Sequence, residues 1–148
     1  MRVYLDTSVY NRPFDDQKQP RIWLETLALT LILKMAEKDQ VEIVKSQVSD
    51  FENSKNPKPI RKRWVKEYLA AADVSQNLTA QIFERATTLE KQGIDAIDAL
   101  HLASAEEAGS EYFITCDDKI IKNYSGGLKA LNPVQFILEE GGNTDGKN

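Results

Sequence analysis

Apolar and polar positions alternate along this chain with two different periods. Arg2 to Leu5, Val41 to Val44, Glu111 to Thr115 and Leu128 to Leu131 are short β-prone runs bounded by turn residues. Between them the spacing changes to that of helices. Pro20 to Ala36 carries Ile22, Trp23, Leu27, Leu31 and Met35 at helical spacing, which predicts an amphipathic helix. Ser46 is placed to cap a helix containing Val48, Phe51 and Glu52, interrupted by Pro57 and Pro59, and Ile60 to Ala71 predicts the next. A helix opened by Asn77 or Thr79 and running to Lys91 would set Leu78, Ile82, Phe83, Ala86 and Leu89 on one face. Ala96 to Ala105, bracketed by Gly93 and Gly109, is apolar almost all round, the pattern of a helix buried in a core. Lys119 to Tyr124 reads as a short helical turn ended by Ser125-Gly126-Gly127. Asn132 and Pro133 read as cap and first residue of a closing helix to Glu140. Asn11, Pro13, Asp15 and Asp16 read as a loop, Val74 as part of a brief strand or linker, and 141–148 as a disordered tail. Trp23, Phe83 and Phe136 read as core, and Cys116 as a small buried hydrophobe.

Strands alternating with helices predict an α/β fold with a mainly parallel sheet, as one domain over residues 1–140. In such sheets sites form beyond the carboxyl ends of the strands, at the point where strand order reverses. Asp6 follows the first strand and Asp117 a later one, so both belong on that rim. Asp95 and Asp98 stand at the start of the apolar helix, three residues apart on one face. Asp95 also reads as a helix cap, Asp117-Asp118 before Lys119 as another, and Glu52 as a solvated helix acid. A cluster of Asp6, Glu52, Asp98 and Asp117 needs a counter-charge to stay ionised. A hard divalent cation supplies one while keeping water ligands. Ser8 and Thr115 are placed to orient a carboxylate or touch a phosphate. His101, one turn beyond Asp98, reads as a packed helix histidine.

The totals narrow the chemistry further. The 148 residues hold 19 Lys and Arg against 23 Asp and Glu, a net charge of −4 that argues against gripping nucleic acid by bulk charge alone. One dense basic run exists, Lys55, Lys58, Arg61, Lys62, Arg63 and Lys66. It is either a solvated face or a phosphate-backbone track, with Lys58, Arg61 and Arg63 as the RNA-binding candidates. One cysteine and one histidine disfavour a Cys/His zinc site and any internal disulfide, which leaves oxygen ligands and suits Mg²⁺ or Mn²⁺. A lone cysteine, with no signal-peptide pattern at Met1 to Asp6 and no apolar stretch long enough for a membrane, points to a cytoplasmic protein. A phosphotransfer enzyme of the haloacid-dehalogenase kind would want a second Asp two residues after Asp6, where this chain has Ser8.

Val-Tyr-Leu-Asp-Thr-Ser-Val at 3–9, Ser46 with Glu52 six residues on, Asp-Ala-Leu-His-Leu-Ala-Ser-Ala at 98–105 and Phe-Ile-Thr-Cys-Asp at 113–117 resemble the motifs of PIN domains, in that family's order. The resemblance implies a three-layer α/β/α PIN fold and Mg²⁺- or Mn²⁺-dependent ribonuclease activity. It makes Asp6, Glu52, Asp98 and Asp117 the acidic residues, with Asp6, Asp98 and Asp117 holding the metal and Ser8, Thr115 and Asp95 supporting them. Many small stand-alone PIN proteins are VapC-type toxins, often homodimers blocked by an antitoxin protein, so both partners are expectations here. The other function open at this point is a catalytically inactive PIN scaffold that binds RNA or protein.

Overall fold

The structure is a computed structural model and describes residues 1–142. Its centre is a sheet of β1 (Arg2–Leu5), β2 (Glu42–Ser46), β3 (Val74–Gln76), β4 (Tyr112–Ile114) and β5 (Lys129–Leu131). The strand order is β3-β2-β1-β4-β5 and every pairing is parallel. Val3 lies opposite Ile43 and Tyr112, and Tyr4 opposite Val44 and Phe113, so side chains alternate in register across the three central strands.

That alternation divides the core. Val3, Leu5, Ile43, Tyr112 and Ile114 face α2 (Pro20–Glu37), α4 (Pro59–Ala70) and α8 (Pro133–Glu140), meeting Leu29, Ile32, Val65, Leu69 and Phe136. Tyr4, Val44 and Phe113 face α5 (Ala80–Glu90) and α6 (Ala96–Glu107), meeting Ile82, Ala86, Leu89, Ala99, Leu102 and Ala103. The result is a three-layer α/β/α sandwich, as expected from strands buried on both faces. Shorter helices α1 (Thr7–Asn11), α3 (Gln47–Ser54) and α7 (Asp118–Asn123) follow β1, β2 and β4 at their carboxyl ends.

Local chemistry sets the helix ends. Ser46, Thr79, Asn132 and Asp117 each accept a backbone N–H of the turn they open. Gly93 and Gly109, on either side of α6, have φ of +89° and +72°, the left-handed conformation that costs glycine least.

Two expectations change, the loop at Asn11 and the core placement of Trp23 and Phe83. Asn11 closes α1, and Arg12–Phe14 forms a 3₁₀ turn, so the expected loop begins only after them. Val74 belongs to a strand, paired in parallel with β2. Trp23 and Phe83 are each 52% exposed, whereas Phe136 is buried. For Trp23 the cause is that α2 is apolar on nearly all sides, so its periodicity does not choose a face. The sheet takes the side bearing Ala28, Leu29, Ile32 and Met35 and leaves Trp23, Leu24, Leu27 and Leu31 outside. The expected tail falls outside the described residues from 143 on; Gly141 and Gly142 form a turn after α8. Among the described residues no helix is long and apolar enough to cross a membrane.

The core side of α2 also carries an acid. Glu25 is fully buried and accepts from Arg12 Nε at 2.8 Å, from Arg21 Nε at 3.1 Å and from the Asn132 amide. This one carboxylate ties the 3₁₀ turn, α2 and the start of α8 together.

Candidate active site

Strand order reverses between β1 and β4, and the chain leaves both strands into a cavity of about 410 Å³. Asp6, Glu52, Asp98 and Asp117 all line it, brought by β1, α3, α6 and the β4–α7 turn. This is where a doubly wound sheet places a site.

Asp6 is 4% exposed and held rigidly. Its backbone N–H bonds the Ile114 carbonyl at 2.9 Å, and its Oδ2 accepts from both Ser8 and Thr115 hydroxyls at 2.8 Å. These hydroxyls are themselves fixed, since Ser8 Oγ accepts from the Cys116 amide and Thr115 Oγ1 from the Asp117 amide, each at 3.1 Å. Both hydroxyls, of Ser8 and of Thr115, thus donate to the same oxygen of Asp6. The bonds use Oδ2; Oδ1 lies 3.8 Å from His101 Nε2.

Glu52 Oε1 accepts from the Thr7 hydroxyl and meets His101 Nε2 at 2.8 Å. Burial pushes the Glu52 carboxyl up, but the bond and charge of His101 and the Thr7 bond outweigh it, so the group is held below its ordinary range. Asp98, at the third position of α6, behaves oppositely. Burial first, then the charge of Asp6, push its carboxyl up to about 7, against the opposing effect of His101. Asp117 and Glu52 add to that repulsion. Asp117 also caps α7, accepting the Lys119 N–H at 2.9 Å, so the cap and cavity-lining readings both hold for it. Cys116 is buried, and burial pushes its thiol up to about 12, so no thiolate nucleophile exists here near neutral pH.

The structure does not bring three of the named residues to the cavity. Asp95 makes no side-chain cap bond; its side chain is 73% exposed and pairs with Lys119 Nζ at 3.3 Å. Lys58 is exposed at the N-cap of α4, and Arg63, 82% exposed, lies 3.7 Å from Glu67. Arg61 does line the cavity, with its guanidinium fixed by the Phe14 carbonyl at 2.8 Å, by Asp15 at 3.3 Å and by stacking on the Phe14 ring.

Sequence reasoning missed His101, Asn11 and Asn56 as site residues. His101 is fully buried, and its Nε2 lies with oxygens of Asp6 and Glu52 inside a group whose atoms are all within 4.8 Å of one another. Its signal was available: it is three residues beyond Asp98, on the same face of the same helix. Asn11 and Asn56 line the cavity beside Arg61 and carried no spacing signal of their own, whereas Lys55, which also lines it, stood in the basic run.

A parallel α/β sandwich with clustered carboxylates at its switch point defines an acid-site fold suited to a hard cation. The PIN domain family matches residues 3–126, and the chain belongs to that family, whose members are generally nucleases. The fold is similar to a toxin–antitoxin complex from Klebsiella pneumoniae, with a TM-score of 0.56 and 19% identity, covering 88% of this chain and 97% of that one. It is also similar to VapBC2 from Rickettsia felis bound to a promoter DNA fragment, with a TM-score of 0.54 and 18% identity, covering 89% of this chain and 98% of that one. Among curated proteins none matches the sequence significantly.

Proposed function

We propose that this protein is a metal-dependent endoribonuclease that hydrolyses RNA phosphodiester bonds, and that it is the toxin of a toxin–antitoxin pair. The observation that carries the reading is the convergence of Asp6, Glu52, Asp98 and Asp117 on one cavity beside the cations Lys55 and Arg61. The donor set is carboxylate oxygen under mutual repulsion, which fits Mg²⁺ or Mn²⁺. Asp6, Asp98 and Asp117 are the residues that would hold the ion, with Ser8 and Thr115 fixing Asp6. When bound, the ion neutralises the acids and supplies Lewis acidity toward a phosphate oxygen.

The chain's own groups do the rest. Arg61 and Lys55 hold the phosphodiester backbone at the mouth of the cavity, a contact that positions RNA without reading sequence. Glu52 bonds Thr7 and His101 through Oε1, which leaves Oε2 to accept a hydrogen bond from the attacking water. Lys58 and Arg63, away from the cavity, would extend the backbone track along α4. The exposed row Trp23, Leu24, Leu27 and Leu31 supports a protein partner, either an antitoxin or a second copy in a homodimer. A single buried cysteine suits the cytoplasm.

The test is cleavage by wild type, Asp6→Asn and Arg61→Glu, with RNA affinity measured separately in chelator. Asp6→Asn should abolish cutting and keep binding, and Arg61→Glu should weaken both. Full cutting by folded Asp6→Asn would overturn the mechanism. Binding without cutting in the wild type would favour an inactive RNA-binding scaffold.

A further inference from the structure

We propose that His101 is a positioning residue of this site: its imidazole, braced from behind by Tyr4, presents Nε2–H to Glu52 and fixes that carboxylate beside Asp6 without ligating a metal itself. The proposal rests on the reading of the cavity as a cation site. His101 and Tyr4 are both fully buried. Nε2 meets Glu52 Oε1 at 2.8 Å and Nδ1 meets the Tyr4 hydroxyl at 2.7 Å, so both ring nitrogens are engaged and the ring cannot turn.

The proton positions follow from what each group can do. An ionised carboxylate only accepts, so Nε2 must be the donor to Glu52, and a protonated nitrogen has no lone pair for a metal. The brace behind the ring is equally constrained. Tyr4 Oη lies 2.6 Å from Ser46 Oγ and 3.1 Å from Ser49 Oγ, while those two side chains accept from the Val48 and Ser46 amides. The Tyr4 ring stacks on Phe113 with centroids 5.4 Å apart and meets His101 edge-on at 5.7 Å. One buried network thus joins β1, the first turn of α3 and α6, and Glu52 stands one turn beyond Ser49 on that same α3. Glu52 is not one of the three proposed ligands but stands beside Asp6 as an outer acid of the site. Removing the partners that order such outer groups changes metal affinity or activity by about 10–100-fold.

The chain's single histidine makes the test direct. In protein labelled with ¹⁵N-histidine, long-range ¹H–¹⁵N correlation should show Nε2 protonated, before and after addition of Mg²⁺. Calorimetry should show Mn²⁺ affinity falling about 10–100-fold in His101→Leu. It should stay within about threefold of wild type in His101→Gln, whose amide N–H reaches the same oxygen. Tyr4→Phe, a milder change, should weaken Mn²⁺ binding if the Leu variant does not fold. A proton-free Nε2, or an Nε2 signal that moves to a ligated position with metal, would overturn the proposal. So would wild-type affinity in a folded Leu variant. Wild type that shows the Nε2 proton but binds no Mn²⁺ would instead overturn the cation reading, and with it this role.

Discussion

Asp98 occupies a helix first turn, where free N–H groups and the dipole favour a negative charge, yet its carboxyl is pushed up to about 7. Burial and the neighbouring Asp6 outweigh the helix. The sign of the consequence is fixed by linkage. A folded-state pKa of about 7 against an ordinary 3.8 means that Asp98 favours the folded state while protonated. Its contribution is full below about pH 4 and is lost as pH rises through 7, in metal-free protein. A divalent cation held as proposed would replace the proton, so Mg²⁺ or Mn²⁺ should raise Tm by a few degrees more at pH 8 than at pH 5. Asp98→Asn should raise the metal-free Tm at pH 8 and remove most of that pH dependence. Thermal melts with and without metal check this; equal metal effects at both pH values would contradict it. Residue chemistry of this kind was partly legible in the sequence. Asp6 directly follows one β-prone run, Thr115 ends another with Asp117 two residues beyond it, and Asp98 opens an apolar helix, so topology alone sends them to one rim. Glu52 carries no such marker, and His101 shows only its place three residues beyond Asp98. Their roles depend on a side-chain bond between residues 49 positions apart, which no local pattern encodes.

At the scale of elements, α2 shows what binary pattern leaves open. Its existence and length follow from spacing, but its orientation does not, because apolar residues encircle it. Glu25 is the residue that marks the inner side, and only as part of a network with Arg12, Arg21 and Asn132. Removing this acid unpairs the Asn132 amide and takes one partner each from Arg12 and Arg21, which keep Asp15 and Asp118. Losing buried hydrogen-bond partners of this kind costs about 1–3 kcal/mol. Glu25→Ala should therefore lower stability by that order in urea unfolding, whereas a loss below about 1 kcal/mol would show that the network is dispensable. The outer side makes the complementary prediction. Trp23, Leu24, Leu27 and Leu31 form an exposed apolar row larger than isolated surface leucines require, so the protein should self-associate through it. Leu27→Asp should shift the sedimentation profile toward monomer with little change in Tm. An unchanged profile would assign the row to a different partner. The 3₁₀ turn at Arg12–Phe14 escaped the sequence for a different reason. Asn11, Pro13 and two aspartates have the composition of a loop, and the chain is held there by Arg12 and Arg61 contacts made from distant elements.

Across the whole molecule, function follows from the order of strands more than from any one motif. Placing β1 between β2 and β4 brings the ends of β1 and β4 side by side, and α3 after β2 adds Glu52 from the third direction. The chain is acidic overall, yet Lys55 and Arg61 line the cavity, so the proposed binding of a polyanion would rest on local rather than global charge. The strand alternation made the parallel α/β class legible, while the split of the basic run between Arg61 at the cavity and Arg63 outside it was not. That split depends on which side of α4 packs against the turn at Phe14. The measurement that tests the central claim most directly is cleavage of a labelled mixture of single-stranded and structured RNA with Mn²⁺, Mg²⁺ or EDTA, using wild type and Asp98→Asn freed of any partner. Cutting that requires the metal and disappears in the variant is the predicted result. Cutting that persists in EDTA, or in folded Asp98→Asn, would contradict a carboxylate–metal nuclease.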